Sequence, residues 1–242
     1  MTISLLTAAV SLVFALSVLD QFLQRRRPYQ LVWTLGLLLY MAASLLQALW
    51  IAGANVEAVF RLWYLSGGML VAAYLGMGSM YLHVPVRVGH WVFAGLLALT
   101  VISGVLALAV TLQADVSLLE GKPLASVVPG TPPQRFYPVY VGILTALLNS
   151  VGAFGLLASA VYSAVVYLRR RAPGYRVASN VLIATGAFLS AAGGTLERFD
   201  LPQPHNLALL LGVVIIYLGF MRSQEAFVLY RLPFRRRPAS PP

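Results

Sequence analysis

The sequence predicts an all-α fold, a polytopic membrane protein of seven transmembrane helices with its N-terminus outside and its C-terminus inside. Three observations carry this reading. Of 242 residues, 60% are hydrophobic and 10% are charged, with a mean hydropathy of +0.82. A soluble domain needs about 25% charged residues to cover its surface, so lipid is the main solvent of this chain. The apolar residues also come in runs long enough to cross a hydrocarbon layer of roughly 30 Å at about 1.5 Å per residue. Finally, the basic residues divide by side. With seven spans, Arg25, Arg26, Arg27, Arg87, Arg169, Arg170, Arg171, Arg176, Arg222, Arg231, Arg235, Arg236 and Arg237 fall inside. Arg61, Lys122, Arg135 and Arg198 fall outside. That asymmetry is what the positive-inside rule requires.

The first span covers residues 3–23. No Lys or Arg precedes it and Arg25-Arg26-Arg27 follow, which reads as a span and not a leader. Asp20, near its inner end, is expected to pair with those arginines. Pro28 breaks the chain, and the second span follows over residues 31–53. Tyr40, Ser44 and Gln47 share one of its faces by their spacing. Trp33 and Trp50 stand near its ends, where interfacial aromatics are expected.

The third span, residues 62–84, is apolar between Arg61 and His83. Gly68, Ala72 and Gly76 recur every fourth residue and form a ridge for close helix approach. The fourth span, residues 91–113, is nearly pure Leu, Val and Ala. Residues 114–137 form an extracellular loop in which Pro123, Pro129, Pro132 and Pro133 forbid regular helix. A loop of that length is either mobile or a lid. The fifth span, residues 138–168, carries Asn149. The sixth, residues 177–196, carries a second small-residue ridge of Gly186, Ser190 and Gly194. The seventh covers residues 207–221, with an interfacial continuation beyond Arg222. Residues 231–242 make a basic, disordered cytoplasmic tail.

Two stretches echo each other. From Arg27 to Tyr74 is 47 residues, and from Arg171 to Tyr217 is 46. Each opens on a triple arginine with a proline and a tyrosine close by, and each places Tyr-Leu-Gly in its second span: Tyr74-Leu75-Gly76 and Tyr217-Leu218-Gly219. The pattern fits a parallel repeat of three plus one plus three helices. Arginine clusters also recur for topological reasons, so chance similarity is the alternative.

A plan of this kind resembles the SWEET and PQ-loop facilitators and, more loosely, the microbial rhodopsins and the seven-helix sensory regions that precede some bacterial signalling domains. The resemblance is topological and covers the whole chain. The Pro-Gln pair that marks the SWEET and PQ-loop families is missing from the first helix of each half; Pro202-Gln203 lies in an outer loop. A retinal Schiff base is excluded, because the single lysine, Lys122, is in a loop.

Function is narrowed by what the chain lacks. There are no cysteines and three histidines, which excludes thiol chemistry and leaves no converging histidine set for a metal or haem. No metal, cofactor or catalytic residue is therefore expected. Asp20 and His83 could form an acid–base pair at the inner face, a minor alternative. The net charge of +10 sits at helix ends, where it meets anionic lipid headgroups and not nucleic acid. No charge lies deep in a span, which argues against a carboxylate proton pump. The deep polar groups are Tyr40, Gln47, Tyr74, Asn149 and Tyr217. They either fix helix packing by hydrogen bonds or line a neutral polar pocket between two three-helix halves. The first expectation is a small-molecule facilitator in the cytoplasmic membrane of a prokaryote. The alternative is a receptor-like sensor or accessory subunit acting through a partner membrane protein. Glu57, Arg61, Glu197, Arg198, Asp200 and His205 gather at the outer rim as surface ion pairs or as a ligand entrance.

Overall fold

The computed structural model describes residues 1–119, 124, 136–171, 173–196 and 204–223. Among these are seven long helices and no strand: α1 (Thr2–Arg25), α2 (Pro28–Ile51), α3 (Glu57–Met80), α4 (Val86–Ala109), α5 (Val139–Arg169), α6 (Gly174–Leu196) and α7 (Pro204–Ser223). Six are long and apolar enough to cross a membrane, as in a multi-pass membrane protein. α6 is outside that set, and its first turns carry Arg176, Ser179 and Asn180.

Local chemistry sets the helix ends. Arg26, at φ 51°, closes α1 in the left-handed conformation and donates its N–H to Phe22 O. Pro28 then starts α2 at a position where its missing N–H costs nothing. Gly53, at φ 101°, turns the chain after α2. Pro85 and Pro138 precede α4 and α5. Two helices, α3 and α4, are displaced by four or five residues from the sequence expectation, and the other ends differ by three residues or fewer. α3 starts at Glu57, whose carboxylate suits a helix N-terminus, and ends at Met80, because residues 81–84 form the turn into Pro85. α4 accordingly runs Val86–Ala109 instead of residues 91–113. α7 starts at Pro204 and ends at Ser223. The proposed interfacial continuation, the tail and most of the loop at 114–137 lie outside the described residues.

Six helices close a ring in which each packs on the next: α1, α2, α3, α5, α6, α7 and back to α1. α4 stands outside this ring, leaning mainly on α3. Its far face is apolar and open, with Trp91 at 78% and Val101 at 69% exposure, the surface a lipid-facing helix presents. One face of the bundle carries Met1, the α2–α3 turn and the end of α4; we refer to it as the N-terminal face. The other carries Arg25–Arg27 and Arg169–Arg171 and is the arginine face.

Glycines bring the backbones together. A Cβ on Gly76 would lie 2.6 Å from Gly152 Cα, and one on Gly152 would lie 2.5 Å from Ala73 N. Ala72 and Gly76 of the expected ridge therefore face α5, whereas a Cβ on Gly68 would meet Tyr64 of its own helix at 3.4 Å. A Cβ on Gly186 would lie 2.6 Å from Gly212 O, so the second ridge faces α7, and Ser190 Oγ sits against Gly212. The surroundings of Gly194 lie outside the described side chains. One feature had no clear sequence signal. Residues Tyr64–Leu70 of α3 form a π-helical turn, in which Val71 N–H reaches back to Ser66 O.

Candidate functional site

The five polar residues expected to line a pocket are distributed over separate helix seams. Tyr40 O–H crosses the ring from α2 to donate to Leu209 O of α7 at 3.0 Å. Tyr74 OH meets Thr100 Oγ1 of α4 at 3.0 Å. Asn149 Nδ2 of α5 donates to Gly68 O, inside the π-helical turn of α3. Tyr217 OH of α7 meets Ser17 Oγ of α1 at 3.3 Å. Gln47, 4% exposed, is different, because its Nε2 has no hydrogen-bond partner. Tyr74 and Asn149 thus lie on the α3 side, whereas Tyr40, Gln47 and Tyr217 lie on helices around α1 and α7.

Gln47 belongs to a polar seam that the sequence reading passed over. On α1, Ser4, Thr7 and Ser11 are buried at 4%, 2% and 0% exposure. Their spacing of three and four residues puts them on one helix face. α1 packs on α2 and α7, so that face turns toward them. α1 and α2 are antiparallel and joined at Arg26–Arg27, which sets Ser4–Ser11 at the depth of Ser44 and Gln47. Tyr40 sits one turn below Ser44, its hydroxyl beside Ser190 of α6. Thr7 Oγ1 is satisfied by Ile3 O at 2.8 Å. Ser4 Oγ, Ser11 Oγ and Gln47 Nε2 are buried without partners. Each such group costs about 1–3 kcal/mol if left dry. Below the seam, toward the arginine face, the ring of Phe14 contacts Tyr217 at 4.9 Å and Phe220 at 5.1 Å between centroids. The seam thus carries hydroxyls and an amide toward the N-terminal face and three packed aromatic rings toward the arginine face.

A second feature opens on the N-terminal face. It is a cleft of about 640 Å³ between the α2–α3 turn, the start of α3 and the segment after α4. Arg61 forms part of its wall. Its Nε donates to Glu57 Oε1 at 2.6 Å, and its Nη1 donates to Ala107 O and Val110 O at 2.8 Å each. The guanidinium therefore caps the end of α4. Tyr137 O–H also donates to Ala107 O, at 2.7 Å. Burial pushes the Tyr137 phenol above its ordinary range, against the opposing pull of Arg61. Asp115 accepts the Ser117 N–H at 2.9 Å, and this bond holds its carboxylate below the usual range.

Several expected contacts differ. Asp20 accepts from Gln24 Nε2 at 2.8 Å, a partner one helical turn away. His83 meets Ser163 Oγ at 3.4 Å and the Tyr162 ring on α5, so its contacts give no acid–base pair with Asp20. Trp50 is 2% exposed, and Trp33 Nε1 donates to Leu75 O and Ser79 Oγ at 3.2 Å each. Both indoles are packing residues and not a lipid-facing belt. Glu197, Arg198 and Asp200 lie outside the described residues. Among the described residues no group of three His, Asp or Glu side chains could hold a metal ion. No family model, curated protein or solved structure matches the chain.

Proposed function

We propose that this protein is a multi-pass protein of the prokaryotic cytoplasmic membrane that binds and passes small uncharged solutes. Its seven helices cross with the N-terminus outside and the arginine face in the cytoplasm, against anionic lipid headgroups. The observation that carries the reading is the polar seam between α1 and α2 of the first three helices and α6 and α7 of the last three. Ser4 Oγ, Ser11 Oγ and Gln47 Nε2 are buried there without partners. The seam contains hydroxyls and an amide and no described charge, so a solute with several hydroxyl or amide groups satisfies it and an ion does not. The Phe14–Tyr217–Phe220 rings would then be the closed gate on the cytoplasmic side. The ring of contacts α1-α2-α3-α5-α6-α7 maps onto itself when the first three helices are exchanged with the last three, which supports the parallel repeat with α4 as linker.

The test is iso-osmotic swelling of proteoliposomes in urea, glycerol and erythritol. The reading expects swelling above empty vesicles for at least one solute, reduced by Gln47→Leu. Swelling equal to empty vesicles for all three removes the facilitator reading. The receptor-like alternative is favoured by one observation. Arg61 lines the cleft and also holds the end of α4, the helix that stands outside the ring. A ligand that moved Arg61 would move α4, and a partner membrane protein could read that movement.

A further inference from the structure

The polar face of α1 does not end at Ser11. Ser4, Thr7, Ser11, Phe14, Val18 and Gln21 follow one another at three- and four-residue spacing and share one side of the helix. The first five are buried and Gln21 is half-buried. This side is polar at both ends and apolar in the middle. α2 has the same order in reverse: Gln30 and Thr34 lie toward the arginine face, Leu37 follows, and Ser44 and Gln47 lie toward the N-terminal face, all five buried. Phe14, Val18 and Leu37 belong to one buried apolar cluster. Two polar ends are therefore separated by an apolar waist. Gln30 is the unusual member of the second end. It stands three residues past Arg27, yet it is 1% exposed. Its Nε2 donates to Gln21 Oε1 at 3.4 Å, and its Oε1 is buried with no hydrogen-bond partner. Thr34 cannot relieve it, because Thr34 Oγ1 already donates to the Gln30 backbone O at 2.8 Å. A buried amide oxygen without a donor is unfavourable, and an N–H or O–H removes the cost.

We propose that Gln21 and Gln30 form a second binding position on the arginine-face side of the waist, for a small neutral molecule that carries at least one N–H or O–H donor. The inference rests on the facilitator reading, and it narrows the class of solute. Toward the N-terminal face, Ser4 and Ser11 offer hydroxyls and Gln47 an N–H, which an acceptor alone can meet. Gln30 Oε1 only accepts, so a solute without a donor finds no partner there. Urea and polyols fit both ends, whereas a sulfoxide fits only the first.

Thr34→Cys reports this position in proteoliposomes, since Thr34 is one helical turn from Gln30 on the same side and both glutamines stay intact. The chain has no other cysteine. A small water-borne thiol reagent, present on both sides of the membrane, should modify Thr34→Cys and leave Ala160→Cys, a buried position on α5, unmodified. Urea or glycerol should slow the Thr34→Cys reaction saturably, about twofold when half the sites are filled, and dimethyl sulfoxide should not. Gln30→Leu and Gln30→Met, each combined with Thr34→Cys, should abolish the slowing, with a cooperative thermal transition showing that each is folded. The proposal is overturned if Thr34→Cys is inert, if neither urea nor glycerol slows it, if dimethyl sulfoxide slows it equally, or if the slowing survives both glutamine substitutions. Vesicles that swell in no solute, beside saturable slowing at Thr34→Cys that needs Gln30, keep the binding position and remove only the passage of solutes.

Discussion

Gly76→Ala is the sharpest test of the packing. A methyl group at Gly76 would stand 2.6 Å from Gly152 Cα, whereas ordinary contact begins at 3.4 Å. The neighbour is backbone, so no side chain can swing aside. α3 and α5 must part by about 1 Å, and a gap of that size forfeits a quarter to a half of each dispersion contact along the seam. Overpacking of this kind costs about 1–3 kcal/mol, against a helix-propensity gain of at most about 1 kcal/mol for replacing glycine. With the full propensity gain subtracted the loss is about 0–2 kcal/mol, and relative to a Gly→Ala change elsewhere in a helix, which shares that gain, it is about 1–3 kcal/mol. Gly104→Ala is the control, because nothing lies within 4 Å of a Cβ there; it should be neutral or slightly stabilising. The double variant Gly76→Ala/Gly152→Ala should cost less than the sum of its parts, since one parting of the helices relieves both clashes. The assay is reversible unfolding in mixed micelles followed by the fluorescence of the four tryptophans. If Gly76→Ala falls within about 0.5 kcal/mol of Gly104→Ala, the close approach of α3 and α5 is wrong.

Further outcomes follow from single contacts. Arg61→Lys keeps the charge but cannot hold Glu57, Ala107 O and Val110 O together, so amide hydrogen exchange should speed up over residues 107–112. Unchanged protection there would refute the capping role. Asn149→Ala removes the bond to Gly68 O and should cost about 0.6 kcal/mol, with about 1.7 kcal/mol as the upper range for such bonds in membranes, measured by the same unfolding assay. Tyr137 ties pH to stability. Its folded pKa is raised, so the unfolded chain loses the phenolic proton first. The contribution is fully present below about pH 10, the unfolded value, and is lost as pH rises above it. Tyr137→Phe should flatten that alkaline decline, and an identical slope in both proteins would exclude Tyr137 as its source.

Much of the fold was legible because lipid imposes a simple rule: apolar runs become helices, and proline and arginine mark their ends. Pro28, Pro85 and Pro138 stand at or beside the starts of α2, α4 and α5. The small-residue spacing coincides with close backbone approach at Gly76 and Gly186, and not at Gly68, which meets Tyr64 of its own helix. The destination of each tyrosine was not legible. Hydropathy places Tyr40, Tyr74 and Tyr217 in spans without saying which helix each faces, and the tertiary packing sends them to α7, α4 and α1. The π-helical turn at Tyr64–Leu70 shifts the phase of α3, and an ideal 3.6-residue period cannot register that. The Ser4–Thr7–Ser11 face had a readable spacing. Hydroxyls are common in apolar helices, though, and the spacing gains meaning only when burial shows three on one packed face. The cleft around Arg61 depends on α4 ending near Ala109 beside α3, a tertiary fact with no local signature.

The chain has no cysteine, which makes substituted-cysteine labelling the most direct measurement of the polar seam. Ser11→Cys and Gln47→Cys would be exposed in proteoliposomes to a small water-borne thiol reagent, beside Ala107→Cys, an equally buried position outside the seam. If the seam admits polar solutes from the N-terminal face, Ser11→Cys and Gln47→Cys react and Ala107→Cys does not. If the two seam cysteines are as inert as Ala107→Cys, the seam is a sealed packing contact and the proposed path for solutes does not exist.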